Sequence, residues 1–521
     1  VLPRALPTVA ERKRQALELL ARWGEQNTNR ALAILATGGD TAEAEKLLAV
    51  QSDYIRRRFD CSDFYLVYYP YILRTFGKRG SGILSEKTEN ELTDCLLGFR
   101  YWIDEPGNDA MWFWSENHAL MFHTCQLLAG ELFPDEVFTN SGLTGRQMQA
   151  KAKNMLYDWF VTFRKEGFTE WNSSPYLPID TLGFGSLYAF AQDPAMRELG
   201  REGMDFAYYL LAVHSQQGIF ASSSGRTYIK EQFGNWSNCP SGLSWIGYGY
   251  GVPGHAGKGI TSYCLSDYEP PKEFAQWFSI PRGKEMICQT TQGNDGYVDL
   301  YTYKTADYMM TSANDFHPGE PGHQENPFQL TFNAVAQLWV THPGERVLFG
   351  AARPSYWAGN GTLPKVNQYK AFAGLIYDIA PEHPVDFTHL YLPSMEFDRC
   401  EVEGKWAFVQ LGSAYAAVYC SNGMRMQDFG SNKDRECIAE GRRCIWLVRA
   451  AQADEFAAFE DFKAAMRGAA LDADAEGRRY RFVDPVYGEL RCQWGETLYV
   501  NDAPMQYSGF DNYGKLTMQE K

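Results

Sequence analysis

The sequence lacks the short motifs that mark nucleotide-binding proteins and the commonest hydrolases. It contains no G-x-x-x-x-G-K-S/T, no G-x-G-x-x-G after a predicted strand, no G-x-S-x-G and no H-E-x-x-H. Positive charge is also in deficit, because 64 acidic residues outnumber 49 Lys and Arg residues and the net charge is −15. Nucleic-acid binders usually present a basic face, so we expect no nucleic-acid partner.

Long apolar runs and patterned cysteines are missing as well. No apolar run approaches the ~20 residues of a membrane helix, so we expect no membrane partner. The eleven cysteines are odd in number, scattered and without a C-x-x-C pair, which indicates neither a disulfide framework nor a zinc ribbon. The opening VLPRALPTVAERKRQ has no apolar core of a signal peptide. We therefore expect a cytoplasmic protein in a reducing compartment.

Aromatic residues, by contrast, are plentiful. They make up 15% of the 521 residues, including 14 Trp. Stacking on sugar rings is one use for so many rings. A chain of this length exceeds the usual ~100–200 residues of one domain, so we expect two or three domains with sizeable cores.

The periodicity of apolar residues changes along the chain. Up to about residue 215 it is helical, with capping patterns such as Thr8-x-x-Glu11 and Thr144-x-x-Gln147. Residues 218–283 are rich in Gly, Ser, Pro and Tyr, as in loops. Strand-like runs follow at 297–310, 328–340, 405–420 and 444–450, with one helix at 454–468. We predict an α+β multidomain fold, with an all-α domain over 1–270 and an antiparallel β-sandwich over 271–521.

The stretch MWFWSENH (111–118) is the first candidate site. Trp112 and Trp114 precede Glu116, Asn117 and His118. An amide can bind a carboxylate without adding charge, and a neutral imidazole can take a proton near pH 7. Side by side they suit proton abstraction next to a carboxylate, although a histidine that caps a helix end is the plainer interpretation.

Two loops supply further candidates. The first, GFTEWNSSPY (167–176), carries Glu170, Trp171 and Asn172 and ends at Tyr176, whose phenol can give or take a proton. The second, SGRTYIK (224–230), brings Arg226 and other cationic or aromatic side chains that could bind an anionic substrate. Each loop could equally be an ordinary surface turn.

A histidine-rich loop lies at the start of the strand-rich half. His317 and His323 occur there among several carboxylates, which could bind a divalent metal. The spacing matches no standard ligand signature, so a hydrogen-bonded loop is the alternative. The sequence requires no other cofactor.

Taken together, these motifs resemble those of polysaccharide lyases of the heparinase II/III and alginate lyase type. Gly167-Phe168-Thr169-Glu170 through Tyr176 is similar to the tyrosine loop of that family, and the turn at Arg226 is similar to its arginine turn. Gly322-His323-Gln324-Glu325-Asn326 and His342-Pro343-Gly344 stand where the family has its sandwich motifs. The resemblance implies a helical toroid, or incomplete (α/α) barrel, followed by an antiparallel sandwich.

The resemblance also implies β-elimination from a uronic-acid-containing glycan. Asn117 and Arg226 would bind the uronate carboxylate, Glu170 would orient them, His118 or Tyr176 would abstract the C5 proton, and Tyr176 would protonate the leaving O4. The remaining expected substrate contacts come from aromatic and polar side chains of the same loops: Trp112, Trp114, Glu116, Trp171, Asn172, Tyr228, Lys230, Trp236 and His323.

Two other functions remain open from the sequence. A glycoside hydrolase on a helical barrel would use two of Glu116, Glu170 and Asp180 as acid and base. A glycan-binding protein without activity would need only the aromatic side chains. The expected partner in each case is a glycan, and a homo-oligomer is compatible with the sequence.

Overall fold

The structure is a computed structural model that describes residues 7–232, 236, 238–253, 259–293, 297–347, 356–358 and 361–521. Within these residues, no helix has both the length and the apolar character needed to cross a membrane. All eleven cysteines are thiols.

The chain divides into two compact units. The helical unit comprises Val1–Lys165, Tyr176–Tyr209 and Cys239–Phe274. The strand-rich unit comprises Glu166–Pro175, Leu210–Asn238 and Ala275–Lys521. The strand-rich unit thus includes two segments from the first half of the chain. The predicted domain boundary at 270 stays a prediction.

The helices are concentrated in the first half of the chain. Their bounds are α1 Val9–Trp23, α2 Thr28–Ala36, α3 Thr41–Arg56, α4 Asp63–Leu66, α5 Tyr69–Phe76, α6 Glu86–Gly98, α7 Glu116–Leu132, α8 Gly145–Glu166, α9 Leu177–Phe190, α10 Pro194–Val213, α11 Ile229–Gln232, α12 Ser241–Tyr248, α13 Thr261–Cys264, α14 Ala275–Phe278 and α15 Phe459–Gly468.

Local capping sets several helix starts. Thr8 and Glu11 form the predicted capping box of α1. Ser115 caps α7 by accepting the backbone N–H of His118 at 3.4 Å. Such caps satisfy N–H groups that have no partner within the helix. The cap at Ser115 therefore places Asn117 and His118 in the first turn of α7.

The strands are β1 Ser215–Gln216, β2 Ile219–Phe220, β3 Lys284–Gln292, β4 Val298–Lys304, β5 Met309–Asn314, β6 Phe328–Thr331, β7 Gln337–Thr341, β8 Lys365–Tyr369, β9 Phe372–Asp378, β10 Phe387–Tyr391, β11 Arg399–Glu403, β12 Trp406–Leu411, β13 Ala414–Cys420, β14 Arg425–Met426, β15 Glu436–Glu440, β16 Arg443–Gln452, β17 Leu471–Asp474, β18 Arg479–Asp484, β19 Gly488–Gln493, β20 Tyr499–Val500, β21 Ala503–Pro504 and β22 Lys515–Glu520.

These strands form antiparallel sheets. The nine-stranded sheet has the order β14-β15-β10-β7-β6-β5-β4-β3-β22, and the six-stranded sheet has the order β11-β12-β13-β16-β9-β8. A five-stranded sheet, β17 to β21, and the β1-β2 hairpin complete the set among the described residues. Tyr303 and Leu330 of the nine-stranded sheet share one buried cluster with Phe372 and Trp446 of the six-stranded sheet.

The predicted change from helices to antiparallel strands is confirmed, but three predicted strands are hairpins. The run 297–310 contains β4 and the start of β5, 328–340 contains β6 and most of β7, and 405–420 contains β12 and β13. The loop-like region also contains a helix of eight residues, Ser241–Tyr248, and the late helix begins at Phe459 rather than at 454. The predicted toroid stays a prediction.

Candidate functional site

The first candidate site lies in the helical unit and is centred on His118, at the start of α7. Nδ1 of His118 is 2.9 Å from Oδ2 of Asp63, the first residue of α4. Asp63 is fully buried, and the side chain of His118 is 8% exposed. The ring of Phe64 stacks on the imidazole at a centroid distance of 4.7 Å. Helix packing and one buried carboxylate therefore fix the orientation of the ring.

The environment of this pair favours retention of a proton. Burial acts to lower the pKa of His118, but the charge of Asp63 and its hydrogen bond outweigh burial and raise that pKa to about 10. Burial raises the pKa of Asp63, and His118 partly offsets this effect. Because the two groups are hydrogen-bonded to each other, the protonation of one depends on that of the other, and they titrate as a pair. The pair holds one proton through neutral pH.

The other edge of the imidazole faces the loop between α3 and α4. Nε2 of His118 is 4.0 Å from Oδ1 of Asp60, whose side chain is 54% exposed. Cys61 lies beside them and adopts a φ of +67°. That backbone conformation is uncommon for a residue other than glycine. Nε2 therefore lies against the polar side chains of Asp60 and Cys61, of which Asp60 is largely exposed to solvent.

Two exposed indoles adjoin the same loop. Trp112 and Trp114 are 50% and 62% exposed, and their ring centroids are 4.8 Å apart. The backbone N–H of Trp112 donates to Oδ1 of Asp60 at 3.1 Å, which fixes the indole segment to the loop beside His118. Exposed indole faces are suited to stacking on sugar rings.

Asn117 and Tyr176 occupy helix starts in the same unit. Asn117 is 2% exposed, and its Oδ1 accepts from the hydroxyl of Ser115 at 3.4 Å. Tyr176 is half-buried and precedes α9. A Cβ added at Gly183 of α9 would lie 2.7 Å from the Leu120 side chain of α7, which shows that the two helices are closely packed. Tyr176 thus begins the helix that packs against the helix of His118.

The second candidate site lies in the strand-rich unit. Segments 166–175 and 221–232 and the approach to β6 meet there through backbone hydrogen bonds. Ser224 and Asn326 exchange N–H···O bonds of 2.8 and 2.7 Å, and Gly225 donates to the carbonyl of Trp171 at 2.8 Å. Nε of Arg226 is 3.8 Å from Oε1 of Glu170, and both side chains are partly exposed.

A small pocket of polar side chains adjoins this junction. It is lined by Asn172, Ser174, Phe220, Ala221, Ser222, Ser224, Thr227, Glu231, Gln232, Asn326 and Gln329. Asn172 is 2% exposed at a φ of +49°, and neither its Oδ1 nor its Nδ2 has a hydrogen-bond partner among the described residues. Buried amides are normally satisfied, so Asn172 is a candidate for binding a polar ligand or water.

Comparisons with known proteins assign no family. The chain is similar to a heparinase III of known structure. That similarity covers 98% of this chain and 90% of the heparinase III chain, with 10% sequence identity and a TM-score of 0.40. No family model matches the chain, and no curated protein matches it. Similarity at this level assigns no role to any residue.

Most residues predicted from the sequence fall into these two groups. The helical unit holds Trp112, Trp114, Glu116, Asn117, His118, Tyr176 and Asp180. The strand-rich unit holds Glu170, Trp171, Asn172, Arg226, Tyr228, Lys230, Trp236 and His323. Asp180 is 3% exposed, Glu116 is half-buried, and the Arg226 guanidinium lies 5.8 Å from the centre of the Tyr228 ring.

The structure corrects the stacking role predicted for Trp171. Its side chain is 2% exposed and packs with Val298, Leu300 and Ala313. A Cβ at Gly225 would lie 2.5 Å from Nε1 of this indole, so the ring lies directly against that backbone. A sugar needs an open ring face, which Trp171 does not offer.

Other predicted contacts are peripheral to the polar pocket. Lys230 is exposed and pairs with Glu231 at 3.2 Å, and Trp236 packs partly buried on Ile219 and Ala334. His323 is exposed, and its backbone N–H donates to the carboxylate of Glu325.

Within the described part of the chain, no set of three potential ligand atoms forms near His317 and His323, where a divalent metal was a possibility. Nδ1 of His317 lies 3.4 Å from Oε2 of Glu320. Among the described residues, three potential ligand atoms come together instead at Asp60, Cys61 and His118. The sequence signal for this cluster was the short run D-C-S-D at 60–63, but its distance from His118 along the chain concealed it.

Proposed function

We propose that the protein is a carbohydrate-active enzyme that cleaves a uronic-acid-containing oligosaccharide or polysaccharide by β-elimination. The observation that carries this proposal is the His118–Asp63 pair, with Nε2 4.0 Å from the exposed Asp60 and with the exposed Trp112 and Trp114 joined to the same loop. The pair supplies an oriented proton-transfer group, and the indoles supply a surface for sugar rings.

The chemistry requires a group that moves a proton at a fixed atom. Elimination removes the weakly acidic C5 proton of the uronate, forms a C4=C5 double bond and breaks the C4–O4 bond, so that O4 leaves with the neighbouring sugar and takes up a proton. Because Nδ1 of His118 is bonded to Asp63, Nε2 is the atom left to exchange a proton with substrate. We assign the abstraction of the C5 proton to the Tyr176 hydroxyl, or to Nε2 of His118 in molecules whose His118–Asp63 pair has released its proton, which the raised pKa of His118 makes more frequent as pH rises. We assign the protonation of O4 to Tyr176.

The carboxylate of the substrate must also be stabilised as negative charge spreads onto it. The amide of Asn117 lies in the first turn of α7, where the helix dipole and backbone N–H groups favour an anion. Asn117 is therefore the proposed carboxylate-binding residue of the helical unit.

Glu170 and Arg226 are proposed as a second polar element. Their 3.8 Å ion pair keeps the guanidinium oriented within the strand-rich unit. A planar guanidinium can hold a carboxylate with two parallel hydrogen bonds, which a lysine cannot reproduce. Arg226→Lys should therefore weaken the use of an acidic glycan more than it weakens folding.

A screen of acidic and neutral glycans tests the reaction. Elimination yields an unsaturated uronate that absorbs in the ultraviolet, together with a new reducing end, whereas hydrolysis yields the reducing end alone. Appearance of both signals with an acidic glycan is expected. Reducing ends without absorbance would instead support a hydrolase that uses two of Glu116, Glu170 and Asp180. Binding without either signal would support a glycan-binding protein.

A matched pair of tyrosine variants tests the catalytic assignment. Tyr176→Phe removes only the hydroxyl and should abolish turnover while the protein remains folded. Tyr157→Phe changes a 43% exposed tyrosine of α8 and should keep the activity of the unchanged protein. A fully active Tyr176→Phe protein would remove Tyr176 from the mechanism.

A further inference from the structure

We propose that Asp60, Cys61 and His118 form a binding site for a zinc ion. Their three potential ligand atoms, a carboxylate oxygen, Sγ and an imidazole nitrogen, all lie within 4.8 Å of one another. Oδ1 of Asp60 and Nε2 of His118 are 4.0 Å apart. Ligands bound to zinc at ~2.0–2.3 Å in a tetrahedron lie roughly 3.3–3.8 Å from each other. Zinc binding would therefore bring these atoms closer together by at most roughly 1.5 Å.

The atoms around these three residues are arranged as in a metal site. Asp63 holds Nδ1 of His118 at 2.9 Å, so Nε2 is the ring nitrogen presented to an ion. The backbone N–H of Trp112 holds Oδ1 of Asp60 at 3.1 Å. Carboxylates behind a ligating histidine, and donors behind a ligating carboxylate, orient ligands in known metal sites.

The loop that carries two of the ligands is held in an uncommon conformation. Arg58 and Cys61 both have positive φ, at +54° and +67°. The hydroxyl of Tyr54 donates to the carbonyl of Asp60 at 2.6 Å, and the hydroxyl of Ser62 donates to that of Phe59 at 2.6 Å. Such strain persists where surrounding contacts enforce it, and it is common at functional sites.

The donor set favours zinc over other biological cations. Calcium and magnesium prefer oxygen ligands, whereas a mixed set of sulfur, nitrogen and oxygen is typical of zinc. Three protein ligands leave a fourth position for water or substrate. Asp60, one of the three proposed ligands, is 54% exposed, so an ion can reach the cluster from solvent.

Zinc at this site has a consequence for catalysis, and this part rests on the proposed function. An ion on Nε2 of His118 occupies the atom that would exchange a proton with the glycan. Zinc should therefore inhibit elimination reversibly, and a chelator should restore it.

The binding claim is tested with cobalt(II) as a spectroscopic substitute for zinc, using chelator-treated, reduced full-length protein. One equivalent of cobalt should give a thiolate-to-cobalt charge-transfer band and the strong visible bands of tetrahedral cobalt, and zinc should displace both. Cys61→Ser should remove the charge-transfer band. Cys400→Ser, which changes another half-buried thiol, should leave it intact. Asp63→Asn should keep the band but weaken affinity roughly 10–100-fold.

Absence of the bands, or their persistence in Cys61→Ser, would overturn the zinc site whether or not the protein cleaves a glycan. Inhibition is measured separately as the rate with zinc divided by the same variant's metal-free rate. This ratio should be low for the unchanged protein and close to one for Cys61→Ser. Bands without any glycan cleavage would leave the zinc site standing and reject the proposed function.

Discussion

Among the described residues, a buried histidine is hydrogen-bonded to a carboxylate in each unit, and the two pairs behave differently. In the helical unit, His118 and Asp63 are 2.9 Å apart, and Nε2 of His118 lies 4.0 Å from the exposed Asp60. In the strand-rich unit, Nδ1 of His389 and Oε1 of Glu436 are 2.7 Å apart, and Trp357 stacks on the imidazole at a centroid distance of 4.0 Å. Both pairs are buried, but the first lies against an exposed polar side chain; the side chain of His118 is 8% exposed and that of His389 is 0% exposed.

The electrostatics of the two pairs follow from this difference. Burial dominates at His389 and lowers its pKa. Burial raises the pKa of Glu436, but the hydrogen bond from His389 and others outweigh burial and lower it. A neutral imidazole therefore donates Nδ1–H to an ionised Glu436, which also accepts from the hydroxyl of Tyr356 at 2.5 Å. At His118 the carboxylate outweighs burial and raises the pKa. The same hydrogen bond is therefore accompanied by a raised histidine pKa in one unit and a lowered histidine pKa in the other.

The largest expected effect separates the two histidines by activity. His118→Gln removes the proton-transfer group and should lower kcat/KM by about 1,000-fold, or ~4 kcal/mol of activation free energy. His389→Gln should leave kcat/KM per folded molecule within a few-fold of the unchanged protein. Ultraviolet absorbance of the product measures both. If His118→Gln kept a tenth of the activity, the proposed catalytic difference between His118 and His389 would be rejected.

The second effect is on stability, and here the substitution of His389 should have the larger effect. His389→Ala leaves the ionised Glu436 buried without its main partner and should cost ~3–5 kcal/mol of unfolding free energy. His118→Gln should cost less, because Asp63, whose pKa burial already raises, can take up a proton. Denaturant unfolding measures both. A double variant, His389→Leu with Glu436→Leu, should recover stability relative to His389→Ala, and failure to recover would argue against the buried-charge explanation.

The third effect concerns acid. Burial lowers the pKa of His214 and His342 in the strand-rich unit, and of His123 in the helical unit, to about 3. Their unfolded forms bind protons from about pH 6.5 downward, so stability is complete above that pH and falls toward pH 3 by ~1.4 kcal/mol per pH unit for each histidine.

With two of these three histidines, the strand-rich unit should lose stability more steeply as pH falls. Denaturant unfolding between about pH 6.5 and 5 isolates this slope from most carboxylates. His214→Gln should reduce the slope by the contribution of one proton. An unchanged slope in that variant would show that His214 is not excluded from protonation in the native state.

The smallest effect tests the indoles. Trp112→Ala and Trp114→Ala should each raise KM by about 2- to 12-fold with little change in kcat, because ring stacking is worth ~0.5–1.5 kcal/mol. Trp23→Ala changes an indole of α1 that is 76% exposed and should leave KM unchanged. Equal effects at Trp23 and Trp114 would indicate general surface binding rather than a platform beside His118.

Local features of the fold could be predicted from the sequence. The capping box at Thr8 and Glu11 involves residues three positions apart, so the pattern alone determines it. The sequence predicts single long strands where the structure has hairpins. The turn at Gly412 and Ser413, for example, interrupts the apolar pattern of 405–420 for only two residues. Apolar periodicity identifies strands more readily than the points where they reverse.

The candidate sites could be predicted only in part. His118 could be singled out because it stands next to Asn117 and follows several aromatic residues, but its partner Asp63 lies 55 positions earlier and has no sequence signal that links it to the ring. Trp171 was wrongly expected to stack on sugar, because composition does not distinguish a buried indole from an exposed one. Partners distant along the chain require the tertiary structure.

The contact between Trp171 and Gly225 links two loops that are 54 positions apart in the sequence. With Nε1 only 2.5 Å from where a Cβ would stand, the tryptophan and the glycine constrain each other. In a set of related sequences, we therefore expect the two positions to change together: a larger residue at 225 should occur only where 171 holds a smaller side chain. Such covariation would be evidence for this contact from sequences alone.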